Sequence, residues 1–170
     1  MIRRLTSVSA AVVVFSVVAM PAQSQVYLGP EVAWNDDFDL GIGAGIEFDL
    51  PQLYEGITFM GDFIYFFPGD DDAGNNIDYW EINANLSYDL PLEDVPVVPF
   101  GLAGLNIARA SVDTGEIEGA SISDTELGLN LGAGVKFDLG RFRPRVAGRF
   151  SIGGSETFTL YAFLPFRLAN

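Results

Sequence analysis

Residues 38–50 of the chain read FDLGIGAGIEFDL, and this stretch indicates how the protein is built. Every second residue from Phe38 to Leu50 is apolar, while those between them are glycine, aspartate or glutamate. Because successive side chains of a strand point to opposite faces, the pattern predicts a strand with one apolar side. A helix would scatter the apolar residues around its axis and place three glycines in its interior. The length exceeds that of most strands in soluble proteins but suits a strand tilted across a bilayer.

The same alternation returns at 125–139, TELGLNLGAGVKFDL, and less cleanly in six further segments. The eight predicted strands are 26–34, 38–50, 57–67, 77–90, 97–109, 125–139, 143–152 and 157–168. Turn-forming residues join them, and the two longest links, 68–76 and 110–124, are predicted to be loops. The sequence does not decide which face of segment 97–109 points outwards. The outward residues are either Gly101, Ala103, Leu105 and Ile107, or Phe100 and Leu102.

Eight strands joined in series predict an all-β fold, an eight-stranded antiparallel up-and-down transmembrane β-barrel. An even number of strands returns both chain ends to the same side of the membrane. A soluble barrel with its apolar face turned inwards around a ligand is the competing interpretation. The glycines of the polar face favour the membrane barrel, because so narrow an interior has room only for small side chains. Aromatic residues near the strand ends also favour it, since interfacial belts lie there: Trp34, Phe38, Phe48, Phe67, Tyr79, Trp80, Tyr88, Phe137, Phe158 and Phe166.

The first 24 residues have the features of a secretory signal peptide. Arg3 and Arg4 precede an apolar run over 10–20, and Ala22-Gln23-Ser24 is a small-x-small cleavage site. We therefore expect a signal peptide at 1–24 and an outer-membrane barrel domain at 25–170. The location that follows is the bacterial outer membrane, with both termini on the periplasmic side.

The composition excludes several classes of function. The 170-residue chain has neither cysteine nor histidine, so it lacks the commonest general base and the commonest metal ligand of proteins. We expect no enzyme activity and no cofactor. The formal net charge of −14 argues against nucleic acid as a partner, because binding to phosphates requires clustered lysine and arginine.

Several of these segments together resemble the eight-stranded outer-membrane β-barrel family, of the OmpA transmembrane-domain, OmpX and opacity-protein type. The resemblance covers 25–170, and it rests on the signal segment, LGIGAGIEFDL, LGLNLGAGVKFDL, PFGLAGLNIA and the alternating last strand. It implies a porin-like monomer in the lipid bilayer, in contact with lipopolysaccharide and inserted by the barrel assembly machinery. Family members usually end on an aromatic residue, whereas Phe166 is the nearest one here. Enzymes among outer-membrane barrels depend on histidine, which this chain lacks.

Turning the polar face inwards places charges in the lumen, where they must be paired or solvated. At mid-height we expect Arg149 to pair with Glu31 or Asp62, and we expect these side chains to fill the remaining space: Asn83, Asn85, Asn130 and Tyr161. Further lumen charges are predicted towards the periplasmic end: Glu47, Asp49, Asp89, Lys136, Asp138, Arg143, Arg145 and Arg167. The alternation also assigns Asp39, Glu81 and Glu126 to the lumen face.

These observations predict a structural or surface-interaction protein whose lumen is plugged by polar and ionic side chains. A narrow channel for small solutes or ions is the alternative, and a soluble periplasmic barrel that binds an apolar ligand is a third. The loop DDDAGNN, with Asp70 and Asp72, faintly resembles a calcium loop. It lacks the bidentate glutamate at the required spacing, so we expect a solvated acidic loop and no metal.

Overall fold

The protein is described here by a computed structural model, which covers residues 25–70, 76–90, 92, 97–113, 121–153 and 156–168. The predicted signal peptide at 1–24 lies outside these described residues. The strands are β1 Val26–Asn35, β2 Asp39–Asp49, β3 Ile57–Asp70, β4 Asn76–Asp89, β5 Val97–Asp113, β6 Ser121–Phe137, β7 Arg145–Ile152, β8 Thr157–Phe163 and β9 Phe166–Arg167. Within the described part of the chain, no helix is long and apolar enough to cross a membrane.

The strands close into one antiparallel barrel. Each strand from β1 to β7 pairs with the next one along the chain, and β1 pairs on its other side with β8 and β9. The strands β8 and β9 form a single span, since both keep the same register against β1. The span is interrupted at Leu164 and Pro165, where proline has no N–H to donate to the ladder. The result is the predicted eight-stranded up-and-down barrel, and the fold class is confirmed.

The outer wall is apolar. Leu40, Ile42, Leu129 and Leu131 are 50, 51, 58 and 53% exposed, so the apolar face of the two glycine-rich strands points away from the barrel axis. This arrangement excludes the soluble barrel with an inward apolar face. The structure also shows which face of β5 points outwards: Phe100 and Leu102 are buried in the lumen, whereas Leu105 is exposed on the outer wall.

Two hairpins are longer than we predicted. The predicted loop 68–76 is partly strand, because β3 continues to Asp70 and β4 starts at Asn76, with a register shift between Phe66 and Gly69. The predicted loop 110–124 is likewise wrong at its edges, since β5 and β6 still pair at Asp113 and Ser121. The physical reason is that ladder hydrogen bonds join backbones, so pairing continues after the apolar alternation has ended.

The lumen is less polar than the alternation suggested. Apolar side chains are buried among the charges, and the buried cluster includes Ala33, Met60, Ile64, Phe66, Tyr79, Phe100, Leu102, Ala108, Ala147, Tyr161 and Phe163. Glycines on the same face make room for the larger rings: a Cβ at Gly41 would lie 2.7 Å from the Phe66 ring. The inward glycines therefore accommodate packing, which agrees with the narrow interior of eight strands.

Adding one methyl group at the inward Gly132 is expected to destabilise the barrel, whereas adding one at the outward Gly101 is not. A Cβ at Gly132 would lie 2.4 Å from the carbonyl oxygen of Gly148, while a Cβ at Gly101 would meet no atom within 4 Å. We expect Gly132→Ala to lower the free energy of unfolding by about 1–3 kcal/mol. Gly101→Ala should stay within about 0.5 kcal/mol. Urea unfolding of both variants in lipid vesicles measures this, and equal midpoints would contradict it.

Candidate functional site

The lumen brings charges from opposite sides of the barrel together. The arginines of β7, Arg145 and Arg149, face inwards in alternation with exposed residues, and their side chains are fully buried. In a closed ring of eight spans, β7 stands across the lumen from β2, β3 and β4, which carry the inward acids Glu47, Asp62 and Glu81. Apart from the pair of Arg143 with Asp138, which lies within the turn between β6 and β7, the ion pairs described below join spans that are not neighbours in the sheet.

The central cluster is built around Arg149. Its Nη1 donates to Asp62 Oδ1 at 3.1 Å and its Nη2 donates to Glu81 Oε2 at 2.8 Å. Asn83 Nδ2 also donates to the Asp62 carboxylate, at 2.8 Å from its Oδ1 atom. The guanidinium of Arg149 lies 5.2 Å from the centre of the Tyr161 ring. One arginine thus bridges two carboxylates, an arrangement that suits the planar fork of guanidinium donors.

An amide network continues the central cluster towards β5 and β6. The Oδ1 atom of Asn83 accepts from Asn106 Nδ2 and from Asn130 Nδ2, both at 2.8 Å. Asn130 also donates to Asn85 Oδ1 at 3.0 Å, and Ser151 Oγ donates to Asn130 Oδ1 at 2.9 Å. All five side chains are buried, so the network crosses the interior from β4 to β7.

Glu31 and Tyr161, which we expected in this cluster, are both buried at its level, each 2% exposed. The ion pairs of Arg149 in the structure are those with Asp62 and Glu81. Among the described residues, the Oε1 atom of Glu31 and the hydroxyl of Tyr161 have no hydrogen-bond partner. Tyr161 therefore contributes its ring, beneath the guanidinium, and Glu31 contributes a buried carboxyl group whose Oε1 atom has no donor.

Aromatic rings cover the cluster on the side of the β1–β2 turn. Tyr79 donates its hydroxyl to Glu81 Oε1 at 2.9 Å, and the Phe38 ring stacks on the Tyr79 ring with centroids 3.7 Å apart. Phe66 lies beside them, at 5.5 Å from Tyr79. These three rings pack together beside the ion pairs. Phe38 and Tyr79 were expected in the interfacial belt, but Tyr79 is 3% exposed and points inwards.

A second group of ion pairs lies near the chain termini. Arg145 pairs with Glu47, Lys136 pairs with Asp89, and Arg143 lies between two carboxylates, 3.0 Å from Asp49 Oδ2 and 3.5 Å from Asp138 Oδ2. Seven of the eight charges predicted towards this end thus meet in ion pairs. The eighth, Arg167, donates to Gln25 Oε1 at 3.3 Å.

Sequence reasoning missed two important members of the central cluster. The alternation placed Glu81 on the lumen face, but its ion pair with Arg149 was not predicted, because counting from strand ends ignores the stagger between strands. Asn106 was missed because the facing of its strand was open. The signal for Asn106 was present, since an asparagine within an apolar strand of a membrane barrel is best satisfied on the lumen side.

The described residues contain no group of three or more acidic side chains placed to hold a metal ion. Asp72, one of the two weak candidates for a calcium site, lies outside the described residues, and so does the side chain of Asp70. The chemistry that the described lumen offers is ion pairing and amide hydrogen bonding across a narrow interior.

A closed barrel with an apolar outer wall and charged side chains in its interior defines the class of transmembrane β-barrels. The chain belongs to the outer membrane protein beta-barrel domain family, whose model matches residues 7–163. Membership of this family implies the bacterial outer membrane as its location. No curated protein sequence matches the chain.

Solved structures with the same fold come from several bacteria. Neisserial surface protein A is 19% identical with a TM-score of 0.63, and the N-terminal β-barrel domain of Pseudomonas aeruginosa OprF is 14% identical with a TM-score of 0.66. Yersinia pestis Ail, the attachment invasion locus protein, solved with the heparin analogue sucrose octasulfate, is 16% identical with a TM-score of 0.53. Each match covers 85% of this chain and 97% of the other. At these identities the matches show the fold alone.

Proposed function

We propose that this protein is a structural outer-membrane barrel that presents its outer end to the medium and whose lumen is a plug rather than a conduit. The observation that supports the proposal most is the bridge from Arg149 to Asp62 and Glu81, whose side chains are 0, 6 and 0% exposed. An eight-stranded barrel is only wide enough for its side chains to fill it, so such a bridge occupies the passage.

The proposal includes an orientation. The ends of the described chain lie together, because Arg167 contacts Gln25, and this end carries the turns at 50–56 and 138–144. The opposite end carries the extended hairpins β3–β4 and β5–β6. Outer-membrane barrels keep short turns in the periplasm and long loops outside, which supports periplasmic termini. Export by a signal peptide at 1–24, with a mature start near Gln25, completes this part of the proposal.

The partners that we propose are the bilayer, lipopolysaccharide and, during insertion, the barrel assembly machinery, with the barrel as a monomer and without nucleic acid. The proposed outer end is acidic, and its exposed carboxylates include Asp36, Asp37, Asp39, Asp78, Asp124 and Glu156. Such a rim suits divalent cations that bridge lipopolysaccharide phosphates. It does not suit a sulfated polyanion such as the heparin analogue that was solved with Ail, because like charges repel.

We propose further that the protein is not an enzyme. The chain has no histidine or cysteine, so the usual activated serine and thiol nucleophiles cannot be assembled. The buried carboxylates that would otherwise suit acid–base chemistry, Asp62 and Glu81, are held by Arg149.

Planar-bilayer recording tests the plug. We expect the refolded wild-type barrel to give no stable single-channel steps, because its ion pairs and amide network cross the lumen. A general porin in the same bilayers is the positive control, and heat-modifiable gel mobility shows that the inserted sample is folded. Stable conductance steps from the folded wild type would contradict the plug and support the narrow channel instead. Membrane fractionation of expressing cells tests the location separately.

A further inference from the structure

The end of the barrel that carries the chain termini contains a cavity of about 640 Å³. Its wall includes Gln25, the β2–β3 turn with Tyr54 and Glu55, and charged residues from four strand ends and turns: Asp49, Asp89, Lys136, Asp138 and Arg143. Small-molecule sites in proteins are clefts of about 300–1,000 Å³, so this cavity has the size of a ligand site. The ion pairs and rings described above close the lumen beyond it, which makes the cavity a cup rather than a passage.

The charges of the cup are arranged in two levels. The cations are covered, with the side chains of Lys136 and Arg143 only 6 and 11% exposed. The acids stand above them, with Asp89, Asp49 and Asp138 exposed by 15, 31 and 48% and Glu55 also exposed. Four carboxylates face two cations in this wall. A molecule that enters the cup therefore meets mainly carboxylate oxygens, and the net field favours positive charge.

The carboxylates are also kept apart from one another. Asp89 is held by Lys136, while Asp49 and Asp138 lie on either side of Arg143. Because no three acidic side chains among the described residues converge on one point, a single metal ion would not gain enough ligands here. Separate carboxylates suit a ligand whose positive charges are spaced along its length.

Aromatic rings complete the wall. Tyr54 and Tyr88 lie with their ring centroids 6.0 Å apart and tilted by 48°, and both line the cavity beside Glu55. Alkylammonium groups are attracted to such ring faces, and the methylene segments between them can cover the apolar part of the wall.

We propose that this cup binds a linear aliphatic diamine or polyamine. Ammonium groups would meet the carboxylates of Asp138, Glu55 and Asp49, and the chain between them would lie against Tyr54. The inference goes beyond the proposed function but rests on it for two points: the plug that closes the inner end of the cup, and the opening of the cup towards the periplasm.

Calorimetric titration of the refolded chain in detergent micelles, with spermidine as the probe, tests the inference. We expect saturable binding at one site. Asp138→Asn and Glu55→Gln should each weaken it by roughly fivefold, the effect of losing about 1 kcal/mol from a partly exposed ion pair. Asp37→Asn is the matched control, because it removes an exposed carboxylate at the opposite end and should leave the affinity unchanged.

Three outcomes would overturn the inference: no saturable binding, equal weakening by Asp37→Asn, or displacement of spermidine by magnesium at the same concentration of positive charge. The last two would show diffuse attraction to an acidic protein rather than a site. Heat-modifiable mobility of each titrated sample shows whether the barrel is closed. A closed barrel without binding therefore refutes the cup alone, while conductance and fractionation decide the proposed function separately.

Discussion

Arg149→Leu is expected to lower the free energy of unfolding of the barrel by about 3–5 kcal/mol, because it leaves two buried carboxylates without their cation. The guanidinium contacts Asp62 and Glu81 at 3.1 and 2.8 Å, and all three side chains are almost completely buried. Leucine fills much of the same volume, so the loss reports mainly the charge. Urea unfolding in lipid vesicles, followed by tryptophan fluorescence or gel mobility, measures the change.

A rescue variant separates the charge from the packing. Neutralising both acids in the triple variant Arg149→Leu, Asp62→Asn and Glu81→Gln should restore most of the stability, because no uncompensated buried charge remains. Arg149→Lys should fall between the two, since a single ammonium cannot present the planar fork that bridges both carboxylates. If Arg149→Leu unfolded at the wild-type midpoint, the central cluster would not stabilise the barrel.

Leu131→Arg is expected to cost about 2–4 kcal/mol, the range for a cation on the lipid face near the middle of a bilayer. Leu131 is the outward position next to the midpoint of β6 at Leu129, pairs with Ala103 and Phe150, and is 53% exposed. In a soluble protein the same substitution at an exposed position would stay within about 0.5 kcal/mol. A loss of stability of this size therefore indicates that the outer wall at Leu131 is surrounded by lipid hydrocarbon.

Leu53→Arg is the matched control. Leu53 is a leucine with even greater exposure, 67%, but it lies in the turn between β2 and β3, where water replaces lipid. We expect its unfolding free energy in vesicles to match that of the wild type. Equal destabilisation by Leu53→Arg and Leu131→Arg would mean that the outer wall of β6 is not embedded in hydrocarbon.

Most of the fold was accessible from alternation alone. The predicted strand 38–50 became Asp39–Asp49 and the predicted strand 97–109 became Val97–Asp113, so centres were right and ends differed. The ends moved because backbone pairing continues beyond the apolar segment in the hairpins of β3 to β6. The facing of β5 was left open because both of its faces carry apolar residues, and Asn106 was the residue that indicated the inner face.

The ion pairs were less accessible than the strands. Alternation assigned Arg149, Asp62 and Glu81 to the inner face, yet which acid meets the arginine depends on the tilt and stagger of strands on opposite sides of the barrel. A shift of two residues along a strand keeps a side chain on the same face but moves it by about 7 Å, which exceeds the length of a hydrogen bond. Counting from strand ends could therefore not distinguish Glu31 from Glu81.

By itself, the sequence determined that the chain forms eight strands, that one face of each is apolar, and that glycines and charges share the other face, because the period of two is a local property of the backbone. The tertiary structure decided which charges meet, that Phe38, Phe66 and Tyr79 cover one end of the lumen, and that a cup with exposed carboxylates lies at the other. These features depend on closure, since only a closed ring brings β7 across from β3 and β4.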